Sequence, residues 1–382
     1  MRNILVLTST FPLDKKSPIN PCVKNLILAL SKKIKITVLL PDHPKLETSY
    51  LKNRNIEFIR FKYFWPRSWQ KLAYGSGIIP NLKSNPLLAL EIFPFLLSQI
   101  KTTREILRSK KIDIVLANWA IPSGLSGAIS ISKRNKTKLI TYVHGSDAYT
   151  KNLIYCKFFS YTIKKSSHVI TVSESLLEEI SRMYKPKKIS IIPQGVKFCK
   201  LRYCKRKPQI VFAGRLIPGK GAKNLIDGFS LLKNKYPGYK LLIIGQGPQG
   251  ESLKKYVAKN KIPNIEFLGS LPNSRLIEKL QQSKLLVFPS TLNEGLPNIL
   301  LEAAANKLPI LSNDTGGVRD LLSEKVAYFT EPSPQKISEK IDMILSDYPR
   351  AIQKSNTLYN RMRRDFPVSK SANNLLEIFK SL

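Results

Sequence analysis

Two carboxylates, Glu294 and Glu302, stand eight residues apart in the segment 289–317, PSTLNEGLPNILLEAAANKLPILSNDTGG. The strand-like run LLVF precedes them. Pro297 suits the first turn of a helix over 298–305, because its missing N–H would have no helical partner there. The free N–H groups at such a helix start form an anion site facing the preceding loop. Gly295, Leu296 and Asn298 are therefore candidates for holding an anionic ligand. Eight residues is about two helical turns, so Glu294 and Glu302 would meet different parts of one ligand. A carboxylate accepts hydrogen bonds from both hydroxyls of a vicinal diol, so one of the two could meet a sugar while the other meets a ribose. The competing reading makes Glu294 a helix cap and Glu302 half of a surface ion pair.

A second segment, FAGRLIPGKGAKN at 212–224, runs from a strand through a turn holding Arg215 to Lys220 at the opening of a helix. Two fixed cations at the carboxyl end of a parallel strand lie where α/β folds bind ligands, and their charge fits a diphosphate. Gly245 and Gly247, in GQGP after the next strand, would let backbone approach that ligand. In the first half of the chain, LITYV runs into His144-Gly145-Ser146-Asp147, and another strand ends at Asn118-Trp119. His144 would face a substrate hydroxyl, with Trp119 and Asp147 on the acceptor side.

These groups require a scaffold of parallel strands. Short apolar runs alternate with helical stretches, at 3–7, 36–40, 113–117, 139–143, 169–172 and 189–192, then at 209–212, 240–244, 265–268, 285–288 and 309–311. Continuous runs such as IDIVLA and KLLIIG predict strands buried on both faces of a parallel sheet. A basic stretch at 196–207 separates two complete sets. The fold class is therefore α/β: two doubly wound Rossmann-like domains, 1–197 and 205–365, facing across a cleft. A helix over 366–382 crosses back to the first domain. At 382 residues the chain fits two cores.

Composition narrows the chemistry. The 63 basic against 26 acidic residues give a net charge of +37, which favours anionic partners or reflects a lysine-rich composition. No zinc-finger spacing or RRM-like aromatic signature accompanies that charge, so no nucleic acid partner is expected. The four cysteines show no C-x-x-C spacing and do not group with the three histidines, so no disulfide framework or zinc site is expected. No G-x-G-x-x-G follows the first strand, which disfavours a dehydrogenase. Neither a signal-peptide pattern nor a membrane-spanning run is present.

The FAGRLIPGKG segment, the GQGP turn, the Glu294-Gly295 to Glu302-Ala303 segment, the Gly316-Gly317 pair and the HGSD loop together resemble retaining glycosyltransferase family 4, of GT-B architecture. The resemblance spans nearly the whole chain and is most specific over 209–320. It implies that Arg215 and Lys220 hold the diphosphate of a UDP- or GDP-sugar and that Glu302 binds ribose. Glu294 and His144 would contact the transferred sugar, with no metal and no cofactor. It implies reaction on one sugar face, the leaving phosphate helping to deprotonate a glycan or lipid-linked acceptor in bacterial surface polysaccharide or glycolipid synthesis. A sugar-nucleotide epimerase sharing the donor site is the alternative. Four positions depart from the family pattern: Asn20 near a common glycine of the first loop, Gln194 for Asn, Lys307 for Gly, and Asp320 for Glu.

One further stretch, 58–90, contains no acidic residue but holds Arg60, Lys62, Arg67, Lys71, Lys83, Trp65 and Trp69. Aromatic bodies beside cations suit a membrane interface. The expectation is a cytoplasmic protein, peripheral on an anionic inner membrane face, with the adjoining LLALEIFPFLLSQI lining the entry of a lipid-linked acceptor. The competing reading puts these aromatics in the first domain's core.

Overall fold

The computed structural model describes every residue except Met1, 18–20, Tyr50, Lys52, 75–76, 133–135, Ser146, Lys151 and 202–204. It divides into two compact units, Met1–Gln194 with Val368–Leu382, and Gly195–Pro367.

The first unit runs β1 (Asn3–Leu7), α1 (Cys22–Leu30), β2 (Lys35–Pro41), β3 (Ile56–Phe61), α2 (Ile78–Ser84), α3 (Ile92–Ser109), β4 (Ile114–Asn118), α4 (Leu125–Ser130), β5 (Lys138–Val143), α5 (Leu153–Lys165), β6 (His168–Thr171), α6 (Glu174–Tyr184) and β7 (Ile189–Ile191). Its strands pair in parallel in the order β3-β2-β1-β4-β5-β6-β7. The central strands are buried on both faces, as their unbroken apolar runs require. On one side α4 packs between α3 and α5.

The second unit runs β8 (Gln209–Ala213), α7 (Ala222–Ser230), β9 (Lys240–Ile244), α8 (Gly250–Lys259), β10 (Ile265–Gly269), α9 (Asn273–Gln282), β11 (Leu285–Phe288), α10 (Asn298–Ala305), β12 (Ile310–Ser312), α11 (Val318–Leu321), β13 (Tyr328–Phe329), α12 (Pro334–Ser346) and α13 (Tyr348–Asp365). Its order, β10-β9-β8-β11-β12-β13, is also parallel and doubly wound. The last helix, α14 (Val368–Ser381), packs against α1 and so belongs to the first unit.

Two edge strands, β3 and β13, escape the hydrophobic pattern. In β3, IEFIRF interleaves charge with apolar residues because one side faces solvent, and β13 is only two residues long. Strand β3 also divides the basic, aromatic stretch. Phe61 and Tyr63 enter the first unit's core with Leu72 and Tyr74, whereas Trp65 and Trp69 are 87% and 59% exposed. Glu91, which interrupts the next apolar run, is buried because its carboxylate accepts the backbone N–H groups of Lys71 and Leu72, both at 3.0 Å. Among the described residues no helix is long and apolar enough to cross a membrane.

Candidate active site

In a doubly wound sheet the two central strands part company at their carboxyl ends, and ligands bind there. In the second unit those strands are β8 and β11, and the loops that follow them carry Arg215, Lys220 and Glu294. Glycines knit these loops together. Gly221 has φ +77°, and a Cβ there would lie 2.2 Å from the Pro289 carbonyl oxygen. The Thr291 N–H donates to the Gly219 carbonyl at 2.7 Å. The Lys220 ammonium is thereby set against Glu294, donating to its carboxylate at 2.5 Å, and Ser290 Oγ donates to the same oxygen at 3.0 Å. Lys220 is buried, which lowers its pKa; Glu294 pulls the other way.

Arg215 lies two residues beyond β8. Burial lowers its pKa, partly offset by the charge of Glu294, and its guanidinium makes no hydrogen bond among the described residues. Five donors in a fixed fork are thus partly buried without a partner in the protein among the described residues. Sequence alone treats the diphosphate cations and the sugar carboxylate as separate groups. The structure joins Lys220 and Glu294 in one pair because two desolvated charges of opposite sign are cheaper to bury together.

Gly245 and Gly247 serve the site differently from expectation. Their neighbours answer to backbone contact inside the protein: a Cβ on Gly245 (φ +138°) would lie 1.8 Å from the Gly214 carbonyl oxygen, and one on Gly247 would lie 2.3 Å from that of Leu216. The Leu216 N–H donates to the Gln246 carbonyl at 3.0 Å. The GQGP turn therefore braces the loop that presents Arg215. Similarly, a Cβ on Gly316 would meet the Glu294 backbone at 2.4 Å, and the Gly317 N–H donates to the Glu294 carbonyl at 2.9 Å. Helix α10 begins at Asn298, one residue past Pro297, and Gly295 and Leu296 are buried, so only their backbone is presented.

Glu302 is neither a surface residue nor an ion pair. It is buried on α10, which pushes its pKa up to about 7, while Asn273 Nδ2, donating at 2.7 Å, draws it down. Asn273, the first residue of α9, carries no sequence signal of this role.

In the first unit, His144 directly follows β5, beside Asn118 at the end of β4. Its Nδ1 accepts a hydrogen bond from Gln194 Nε2, and its Nε2 donates to Asn118 Oδ1 at 3.1 Å. Its ring contacts those of Tyr142 and Trp119 at 4.5 and 4.8 Å. Burial lowers its pKa to about 3, so the imidazole is neutral at physiological pH. Both ring nitrogens thus have amide partners, so any further hydrogen bond to His144 would have to displace one of them. Gln194 stands out in the sequence only as a departure from a family asparagine.

Asp147 is corrected as well. Its two oxygens accept the N–H groups of Ala120 and Gly145, both at 3.0 Å, and it is buried. It clips the β5 loop to the β4 loop and has no side to offer an acceptor. Trp119 holds φ at 67°, a backbone that costs a bulky residue about 1–3 kcal/mol and that recurs at functional sites. Asn20 lies outside the described residues. Among the described residues no cluster of His, Cys, Asp and Glu could hold a metal ion.

Comparison with known proteins agrees with this geometry. Residues 198–364 match the family described as glycosyl transferases group 1, and residues 20–198 match glycosyltransferase family 4. The chain is 30% identical over 296 residues to the uncharacterized glycosyltransferase MJ1059 of Methanocaldococcus jannaschii, covering 69% of this chain and 68% of that protein. It is 26% identical over 280 residues to the putative teichuronic acid biosynthesis glycosyltransferase TuaC of Bacillus subtilis, covering 68% of each. A phosphatidylinositol N-acetylglucosaminyltransferase component of Arabidopsis thaliana is 24% identical over 308 residues, covering 78% of this chain and 68% of that protein. Among solved structures, Anabaena Alr3699/HepE in complex with UDP and glucose superposes with a TM-score of 0.76 over the full length of both chains, at 17% identity. With both halves matched in sequence and both sheets doubly wound and parallel, the chain belongs to the group 1 glycosyltransferases of GT-B fold.

Proposed function

We propose that this glycosyltransferase takes a UDP- or GDP-sugar and transfers the sugar, with retention, to a glycan or lipid-linked acceptor in glycolipid or bacterial surface polysaccharide synthesis. The observation that carries the reading is the partly buried Arg215 guanidinium, without a hydrogen-bond partner among the described residues, next to the ion pair of the buried Lys220 with Glu294. Arg215 and Lys220 would hold the diphosphate without a metal, Glu302 the ribose and Glu294 the transferred sugar. His144, by exchanging an amide, would meet a sugar hydroxyl. The UDP bound to HepE makes UDP-sugars the first donors to test. The relative named for phosphatidylinositol and the exposed Trp65 and Trp69 favour a lipid-linked acceptor and a peripheral place on an anionic membrane.

Titration calorimetry of Arg215→Ala/Lys220→Ala tests this reading. Two charge-assisted bonds of about 1.5–3 kcal/mol each predict that UDP affinity falls by about 10²–10⁴-fold while uridine affinity holds. Equal losses for both ligands would overturn the assignment. EDTA should leave transfer intact; magnesium-reversible loss would replace the metal-free reading.

A further inference from the structure

Most exposed apolar side chains of this protein are scattered singly, such as Leu231 and Met343, and need no explanation. Helix α5 differs. Leu153, Ile154, Phe158 and Tyr161 are 80%, 67%, 48% and 40% exposed, and their spacing places them along one helical face. The charged residues of α5 are Lys157, Lys164 and Lys165, all exposed, and no acidic residue occurs anywhere between Asp147 and Glu174. The opposite face, with Phe159, Thr162 and Ile163, is buried against the unit. A folded helix thus presents aliphatic and aromatic side chains flanked only by cations.

The surroundings extend this pattern. Every strand of the sheet is parallel, so each helix that returns the chain to the next strand starts near the carboxyl edge. The N-terminal turns of α3 and α5 therefore lie on the same edge. Helix α4 packs between them, which sets α3 and α5 roughly 16–20 Å apart, or two helix spacings. Leu87, Leu90 and Phe93 lead into α3 at 69–75% exposure, and Trp65 and Trp69 follow β3 at the same edge.

We infer that the exposed face of α5 is a second contact of the first unit with an anionic bilayer, acting together with the Trp65–Phe93 patch. Charge complementarity chooses the occupant. A second copy of this chain would bring cations against cations, whereas an anionic leaflet accepts both the lysines and the apolar side chains. Two contacts fix the orientation of the carboxyl edge, and with it His144, toward the lipid, which a single contact does not. The inference shares the membrane placement of the proposed function but does not depend on the transfer reaction.

The test is co-sedimentation of the full chain with vesicles of phosphatidylcholine alone or with about 30 mol% phosphatidylglycerol, which makes the surface anionic. Three variants are compared: Leu153→Ser/Ile154→Ser/Phe158→Ser, Lys157→Gln/Lys164→Gln/Lys165→Gln, and Trp65→Ser/Trp69→Ser. Each should lower the anionic partition coefficient about tenfold or more, with unchanged circular dichroism and unchanged UDP affinity. In a Leu153→Trp variant whose natural Trp65, Trp69 and Trp119 are changed to Phe, brominated lipid should quench the one remaining tryptophan. The inference is overturned if the α5 variants partition like the parent, if Leu153→Trp is not quenched on bound vesicles, or if the parent is a dimer in solution that the α5 variants dissociate. Failure of the transferase reading would instead show as lost UDP binding, with vesicle binding intact.

Discussion

The carboxyl edges of the two sheets share a topology and differ in electrostatics. In the second unit the edge is crowded with charge: Lys220 against Glu294, Arg215 beside them, and Glu302 buried on the adjoining helix. In the first unit the part of the edge around His144 is neutral: His144 is held by the amides of Asn118 and Gln194 and by two aromatic rings, and Asp147 is turned inward onto backbone. The same fold therefore makes two kinds of surface. One suits an anion, because fixed cations out of water act through a low dielectric. The other suits neutral hydroxyls, which need donors and acceptors at set positions and no net charge. Backbone construction follows the same division. Glycines weld the second unit's loops at Gly214–Gly245 and Gly221–Pro289, whereas side-chain amides and a carboxylate hold those of the first.

The largest effect should come from breaking the weld. Gly245→Ala forces a Cβ to within 1.8 Å of a carbonyl oxygen at φ +138° and should destabilise the second unit by about 4 kcal/mol, abolishing UDP binding while the first unit stays folded. Hydrogen exchange resolved by unit would show this. A stable variant with normal UDP affinity would remove the distinction between welded and amide-held edges.

Titration sharpens the comparison next. Glu302 has its folded pKa raised from 4.5 to about 7, so its protonated form is the one the fold prefers. That preference is fully present below pH 4.5 and is lost as pH rises through 7, a change of about 3 kcal/mol. His144, lowered to about 3, works in the opposite direction. Its contribution is complete above the ordinary value of 6.5 and is lost as pH falls toward 3. The second unit should thus gain stability toward acid from Glu302 while the first loses it from His144. Glu302→Gln should flatten the first slope and weaken UDP. Denaturation at pH 5 and 8 that is unchanged by Glu302→Gln would contradict the burial argument.

A smaller effect is expected at Gln194. Replacing it with Leu leaves His144 Nδ1 without its donor and should cost about 1–2 kcal/mol. It should also shift the imidazole ¹⁵N resonances away from a single neutral Nε2–H tautomer, a readout that a merely structural role would not move. The smallest effect is a gain. Lys307 sits at φ 55°, left-handed, where family members commonly carry glycine. Lys307→Gly should stabilise the second unit by about 0.5–1 kcal/mol, the relief being reduced by loss of its stacking over Tyr359. Thermal melting would read it.

Much of this is written in the chain. Buried parallel strands declare themselves because a strand covered on both faces must be apolar throughout, so β1, β4, β9 and β11 stand out as runs. The edge strands β3 and β13 do not, since solvent on one side erases the pattern. Arg215, Lys220, Glu294 and Glu302 are legible because the loops after parallel strands converge on one edge wherever the order doubles back. Partnership is not legible. That Lys220 pairs with Glu294, that Asn273 reaches Glu302, that Gln194 takes His144 and that Asp147 faces inward depend on residues 27 to 74 positions apart meeting at particular angles. The exposed face of α5 is equally hidden, since nothing within LIYCKFF itself tells which side of the helix the sheet covers. Local sequence specifies which elements form and which residues end them; only packing decides which of those residues touch, because contact is a property of the assembled layers.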